Sequence, residues 1–269
     1  MIENGPFGPL PRIGPNGSRP FLAYARPFDL HDRRPRVALL IVGLGLQADL
    51  TDAAIALPGE ISLEFSAYGA DLPGWSQRAR RAGHEVLLDL PMEPADYPAS
   101  DPGPHTLLAS DPDKQVLKRL DWLLARASGY VAVAGTGARF ATNGRAATAL
   151  EALARRGLAL IEFGQADLAA CASAVGLPYA SAGAPLDLEP STRSIDRALA
   201  GLEAEALRKG SALASVQAYP ISLVRLRRWA ASLGDKGLVL APVSAVVIRQ
   251  SAPAAEMRGE AERSGRAQD

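Results

Sequence analysis

The segment that most constrains the fold covers residues 37–46, which read VALLIVGLGL. Its first half is an unbroken run of branched apolar residues that ends at glycines, and this pattern predicts a strand buried on both faces. Such strands belong to parallel sheets covered by helices, in which the chemistry lies just beyond the carboxyl ends of the strands. Val42 and Gly43 occupy that position here. The strand end that should carry a first catalytic acid therefore has none.

The composition is that of a globular protein without a strong charge. The chain has 269 residues and is 48% hydrophobic, with 29 Lys plus Arg against 29 Asp plus Glu. Because no basic cluster with interleaved aromatics is present, no nucleic-acid partner is expected.

The single cysteine, Cys171, excludes an internal disulfide and a Cys-based zinc cluster. No apolar run reaches the roughly 20 residues that span a bilayer, and no signal peptide follows Met1, so no membrane span is expected in this chain.

Beyond residue 36 the chain alternates between strand and helix patterns. Strands are predicted at residues 37–41, 61–65, 85–90, 130–134, 158–162, 177–180, 212–216 and 238–241. Helices are predicted at residues 46–57, 72–82, 113–127, 145–156, 166–174, 192–208 and 221–233. A repeated helix–glycine–strand order indicates right-handed βα units. We therefore predict an α/β fold whose seven or eight parallel strands close into an irregular barrel rather than an open sheet.

Three regions are expected along the chain. Residues 1–35 are rich in Pro and Gly and are interpreted as an arm or linker, whose aromatic residues pack in part on the domain surface. Residues 36–249 form the barrel. Residues 250–269 are small, charged and aperiodic, and are interpreted as a flexible tail.

Polar residues at strand ends are the candidates for chemistry. Asp89 closes an apolar strand, where a carboxylate must be paired or hydrogen-bonded, so it is either a functional acid or the cap of a turn. Glu162 also ends a strand. Arg139 follows a glycine turn, where it could clamp an anionic or hydroxyl-rich ligand or could pair with one of these two carboxylates.

The long loop at residues 92–108 is Pro-rich, and loops of that length in compact domains are usually functional. Glu93 lies at its start and is interpreted as a salt-bridge or backbone contact or as part of a ligand site. His105 is the one histidine in the loop, and the alternative for it is a solvated side chain. No histidine pair has metal-ligand spacing, and no nucleotide-binding fingerprint or catalytic-triad elbow is present.

Several motifs in order along the chain resemble the divergent polysaccharide deacetylases. They are the first strand, Leu57-Pro58-Gly59, Ala82-Gly83-His84-Glu85-Val86-Leu87-Leu88, Pro91-Met92-Glu93-Pro94, Gly137-x-Arg139-Phe140, Arg156-Gly157-Leu158 and Ala241-Pro242-Val243-Ser244. The resemblance covers residues 36–247, and Pro91-Met92-Glu93-Pro94 is its most specific motif. It implies a NodB-type irregular (β/α) barrel, and metal-dependent members of the family remove acetyl groups from envelope sugars with an Asp pair and two His.

Aligned on these motifs, the chain departs from the family at the metal ligands. Val42 and Gly43 stand where the family has Asp-Asp, Gly135 stands at one metal histidine, and Gln217 replaces the other. Glu162 stands in for the expected strand-end Asp. The resemblance therefore implies that the family's usual zinc is not expected here, and no other cofactor is expected.

Three hypotheses for function remain open. In the first, the chain is a pseudoenzyme that binds an envelope polysaccharide, a peptidoglycan-like glycan or an envelope protein. Its expected ligand-binding residues are Glu93, His105, Arg139, Gln217 and Tyr219. In the second, it is an active hydrolase or deacetylase on acetylated polysaccharide, with Asp89 and Glu162 as a relocated catalytic pair. The third is an envelope scaffold without a small ligand. Because the proteins it resembles are commonly exported, a periplasmic or envelope location is expected.

Overall fold

The computed structural model describes residues 1–142, 144–164, 167–183 and 185–251. The strands are β1 (Ile2–Gly5), β2 (Gly8–Pro11), β3 (Arg36–Leu44), β4 (Ser62–Phe65), β5 (Val86–Asp89), β6 (Ala132–Gly135), β7 (Ala159–Phe163), β8 (Tyr179–Ala182), β9 (Ser211–Gln217) and β10 (Val239–Leu240). The helices are α1 (Pro20–Ala23), α2 (Ala48–Ile55), α3 (Leu72–Arg81), α4 (Asp113–Leu124), α5 (Ala138–Ala141), α6 (Arg145–Arg155), α7 (Ala169–Ala174), α8 (Thr192–Lys209), α9 (Pro220–Ser232) and α10 (Val243–Ser251).

Eight parallel strands form one sheet that is nearly closed into a barrel. The order is β10-β3-β4-β5-β6-β7-β8, and β9 pairs with the other side of β3. The remaining seam lies between β8 and β9, where Gly183 N donates to Leu213 O at 3.4 Å. The predicted α/β barrel of parallel strands is confirmed. It follows from the βα repeat, because a parallel sheet with helical crossovers must bury both of its faces.

Some elements were not predicted from the sequence. The first 35 residues contain the antiparallel hairpin β1–β2 and the one-turn helix α1, and α5 and α10 are also additional. In α10, Val243, Val246 and Val247 are buried in the barrel interior, so tertiary packing rather than local pattern makes this segment a helix. Of the predicted flexible tail, residues 252–269 lie outside the described residues, as does residue 166 at the start of the helix predicted at 166–174.

Successive side chains along each strand point alternately into two different cores. Leu39, Ile41 and Leu63 belong to the core between the sheet and the helices, whereas Ala38 and Leu40 belong to the barrel interior. This is the period of two that a pleated strand imposes on its side chains. The alternation allows the inward-facing positions of every strand to be identified from the register.

The amino ends of the strands are closed by the first 35 residues and by α10. Phe21 is only 4% exposed and is packed in the barrel interior, and its N–H donates to Gly157 O at 3.0 Å. Buried Glu85 accepts hydrogen bonds at 3.0 Å from Arg26 N and from Ser244 N, so it joins the two closing segments. At the opposite end, Gly43 is exposed, and Val42 and its register partner Gln217 are half-buried. The carboxyl ends of the strands therefore form the mouth of the barrel.

Candidate functional site at the barrel mouth

Asp89 faces the barrel interior at the mouth. It pairs in register with Ala134, which pairs with Ile161, and both of these residues are packed inside the barrel. Asp89 itself remains partly exposed. The position predicted as a functional acid is therefore an inward-facing strand end that can be reached from solvent.

Glu64 is a second carboxyl group inside the barrel, and it was not among the residues predicted from the sequence. It lies opposite the interior residue Leu87 on β5, and it is 3% exposed. Its Oε2 accepts from Gly43 N at 2.7 Å. Its Oε1 is buried and meets no hydrogen-bond donor among the described residues. A buried carboxyl with an unsatisfied oxygen is costly unless a proton or a ligand completes it.

Glu64 and Asp89 titrate as a pair. Burial raises the pKa of Glu64 well above its usual range, and the negative charge of Asp89 raises it further. Burial raises the pKa of Asp89 to about 7. Two neighbouring carboxyl groups in a medium of low dielectric constant resist double ionisation, so the pair holds a proton near neutral pH. A proton on the pair supplies the donor that Glu64 Oε1 otherwise lacks.

Gln217 and Tyr219 lie on the other side of the mouth. Gln217 pairs in register with Val42, and its Oε1 lies 3.6 Å from the position that a Cβ on Gly43 would take. Asp187 fixes this strand end by accepting from Gln217 N at 3.0 Å. Tyr219 follows with 44% exposure. These two predicted ligand-binding residues are therefore at the mouth, with Asp89.

Glu162 does not face this mouth. It pairs in register with Gly135, one residue further along β6 than the partner of Asp89, so its side chain is on the helix-facing side of the sheet. It is 1% exposed and accepts from Asp167 N, Leu168 N and Tyr179 Oη at 3.0, 2.9 and 2.6 Å. These bonds tie the end of β7 to the residues that directly precede α7 and to β8. The structure brings Asp89 together with Glu64 and not with Glu162.

Glu93 and Arg139 join the long loop to α5. Buried Glu93 accepts from Ala109 N at 2.6 Å and forms an ion pair with Arg139 Nε at 3.1 Å. The backbone N–H groups of Arg139 and Phe140 both donate to Glu93 O at 3.2 Å. Arg139 thus pairs with a carboxylate other than the two that the sequence suggested. A surface pocket of about 580 Å³ adjoins the pair, with Tyr97 on its wall.

His105 is part of an aromatic cluster in the long loop. Its ring stacks on Trp122 with a centroid distance of 3.6 Å, and its backbone N–H donates to Tyr68 Oη at 3.0 Å. Burial lowers the pKa of His105, and the charges of Arg119 and Arg126 lower it further. Burial raises the pKa of Tyr68 and the negative charge of Asp89 raises it further, so this cluster lies near Asp89 on the β4 side of the mouth.

The backbone at two further strand ends restricts what side chains can be placed there. Gly43 has a φ of 74°, in the region that favours glycine. A Cβ on Gly135 would lie 2.2 Å from Leu90 O, because the chain after β5 passes close to β6 and Leu90 N donates to Ala134 O at 2.7 Å. A larger residue at position 135 would therefore require the backbone to move.

Two further properties concern the described residues as a whole. They contain no group of three or more His, Cys, Asp or Glu side chains placed to hold a metal ion. No helix among them has the length and apolar character needed to cross a membrane.

A signal for Glu64 does exist in the sequence. In the segment ISLEF, residues 61, 63 and 65 are apolar and alternate with Ser62 and Glu64, which reads as a strand with a solvated face. In a barrel that face is the interior. An acid in such a strand is therefore buried rather than solvated, and only the assumption of a closed barrel reveals it.

The fold and the site define a parallel α/β barrel with a proton-holding carboxyl pair at its mouth. The family model described as divergent polysaccharide deacetylase matches residues 39–247, and the chain belongs to this family. The resemblance seen in the sequence motifs is thereby confirmed.

Among solved structures, an uncharacterized protein from Agrobacterium tumefaciens C58 is similar, with 38% sequence identity and a TM-score of 0.85. The match covers 89% of this chain and 99% of that one. The structure of a protein from Coccidioides immitis, described as a fructose-1,6-biphosphate aldolase by inference only, aligns over 76% of this chain and 80% of its own, with 14% identity and a TM-score of 0.38. No curated protein matches the chain significantly.

Proposed function

We propose that this protein binds an envelope glycan at the barrel mouth and has lost the metal-dependent hydrolysis of its family. Asp89, Gln217 and Tyr219 supply partly exposed polar and aromatic groups there, which suit the hydroxyl groups and ring faces of a sugar. Family membership supports a carbohydrate ligand. The periplasm or cell envelope is the proposed location, and an envelope protein is the alternative occupant of the mouth.

The main support for this proposal is the lack of space for a side chain at Gly135. The motif resemblance places a metal histidine at this position, where even a Cβ would lie 2.2 Å from Leu90 O. Val42 and Gly43 offer no side-chain ligand atom, and Gln217 offers an amide in place of an imidazole. A zinc site needs about three His, Cys or carboxylate ligands from the protein. The residues at the expected positions do not fit that metal.

The test combines binding and turnover. The purified full chain should bind N-acetylated chitooligosaccharides or peptidoglycan fragments in titration calorimetry, and Tyr219→Ala should weaken binding at least about tenfold through loss of its ring contact. Leu207→Ala, which alters an exposed residue of α8, is the control for unspecific surface effects. Acetate release that requires added zinc would contradict the proposal.

A second candidate is a hydrolase that works with Glu64 and Asp89 in place of the predicted Asp89 and Glu162. The observation that favours it is a partly exposed carboxyl with a pKa of about 7 beside a buried one, which is the environment of a general acid or base. In this case Asp89→Asn abolishes product formation from acetylated glycans. Full turnover by that variant would exclude the pair as the catalytic group.

A further inference from the structure

We propose that the ligand group bound between Asp89 and Gln217 is a primary ammonium, of the kind carried by a de-N-acetylated amino sugar. This inference rests on the proposed glycan binding and specifies its ligand. It differs from the acetylated sugars on which metal-dependent members of the family act.

The polar atoms available at the mouth match the donors of an ammonium group. Asp89 presents two carboxylate oxygens, and the Gln217 side chain presents Oε1 near Gly43. A primary ammonium has three N–H donors and no acceptor, so it suits a site lined by acceptor oxygens. An acetamido group is neutral, so it cannot offset the negative charge of an ionised Asp89.

The negative charge of the Glu64–Asp89 pair also has no positively charged partner among the described residues. Neither Glu64 nor Asp89 forms an ion pair with an Arg, Lys or His among the described residues, and no positive neighbour lowers the pKa of either group. The nearest hydrogen-bond donor to Glu64 is the backbone N–H of Gly43. A carboxyl pair buried without a cation is costly in its ionised form. A cationic ligand group supplies the missing charge next to a carboxyl pair in which Glu64 Oε1 has no hydrogen-bond donor among the described residues.

Binding of this group is coupled to release of a proton. The pair holds a proton near neutral pH, and an ammonium stabilises the ionised pair, so the proton is released when the ligand binds. Burial raises the pKa of two titratable groups near Asp89, and the negative charge of Asp89 raises both further: Glu64 on β4 and Tyr68 in the loop that follows β4. Because burial raises the pKa of Tyr68, that hydroxyl stays neutral and the released proton comes from the carboxyl pair.

The experiment compares chitosan tetrasaccharide with its fully N-acetylated counterpart on the full chain. Titration calorimetry at pH 7, in two buffers of different ionisation enthalpy, measures affinity and proton release together. We expect the free-amine sugar to bind at least about tenfold more tightly and to release protons on binding. Asp89→Asn should remove this preference, and Gln217→Leu should reduce it while leaving the carboxyl pair in place. Asp235→Asn, which alters an exposed acid in the turn before β10, should keep it.

The outcomes separate this inference from the proposed function. Equal affinities for the two sugars, or a preference that survives Asp89→Asn in a folded variant, overturn the ammonium site and leave glycan binding standing. If neither sugar binds, both proposals fail. If Mg²⁺ or Ca²⁺ alone binds at the mouth and displaces the free-amine sugar, the site is one for a metal ion and the inference is wrong.

Discussion

Glu64 and Asp89 lie on adjacent parallel strands and face the same interior, with Asp89 two residues closer to the mouth. The register shows this directly, because Glu64 is opposite Leu87 and Asp89 follows two positions later on that strand. Neither side chain points towards the helices or the outer surface of the protein. Their proximity in a buried setting is the main electrostatic feature of the protein.

The first prediction concerns stability against pH. The pKa of Asp89 is about 7 in the folded protein against 3.8 for an ordinary Asp, and the pKa of Glu64 is also raised. The folded state therefore binds a proton more tightly than the unfolded state. The stabilisation is fully present below the unfolded pKa and is lost as pH rises through the folded pKa. Between pH 5 and pH 7 we expect the free energy of unfolding to fall by about 1.4 kcal/mol per pH unit for each of the two carboxyls that stays protonated in the folded protein.

Urea unfolding of the wild type and of Asp89→Asn at a series of pH values provides the measurement. The variant should show a flatter profile over the same range, and it should equal or exceed the wild type in stability at pH 8. Asp235→Asn should follow the wild-type profile. Stability that rises between pH 5 and pH 7 would show that the pair is ionised in the folded state.

The second prediction compares two glycine substitutions. Gly135→Ala places a Cβ 2.2 Å from Leu90 O and should lower the free energy of unfolding by about 2 to 4 kcal/mol. Gly201→Ala lies within α8 with no atom within 4 Å of the added Cβ, and should raise it by about 0.5 to 1 kcal/mol. Chemical denaturation measures both. A neutral Gly135→Ala would mean that the strand end can accommodate a side chain, and would weaken the argument against the metal histidine.

The third prediction concerns Glu162. Glu162→Gln weakens the charge-assisted bonds from Asp167 N and Leu168 N, and should cost about 1 to 3 kcal/mol of stability. Ligand affinity at the mouth should stay within about twofold, because the side chain is on the other face of the sheet. Calorimetric titration together with urea unfolding makes the distinction. Loss of binding at unchanged stability would return Glu162 to the functional site.

The fourth prediction concerns the first 35 residues. Phe21 is 4% exposed inside the barrel, so Phe21→Ala should cost about 3 to 5 kcal/mol. Phe7 is 42% exposed, and Phe7→Ala should change stability by no more than about 0.5 kcal/mol. Thermal and urea unfolding of the two variants test the difference. Equal effects would mean that Phe21 does not close the barrel.

The sequence predicted the order of the barrel's strands and helices because each element has a recognisable local pattern of residues. An apolar branched run such as residues 37–41 is typical of a buried strand, and a glycine after a helix indicates the entry into the next strand. The placement of Asp89, Gln217 and Tyr219 at the mouth followed from the rule that strand carboxyl ends share one edge. The same rule could not distinguish inward from outward side chains.

By itself, therefore, the sequence determined the class of fold, the family, and the missing side chains at Val42, Gly43 and Gly135. The tertiary structure alone decided that Glu64 and not Glu162 is the partner of Asp89. The physical reason is the strand register, because a shift of one residue between neighbouring strands sends a side chain to the opposite face of the sheet. Register is fixed by contacts across the whole barrel, and no local pattern in a single strand contains it.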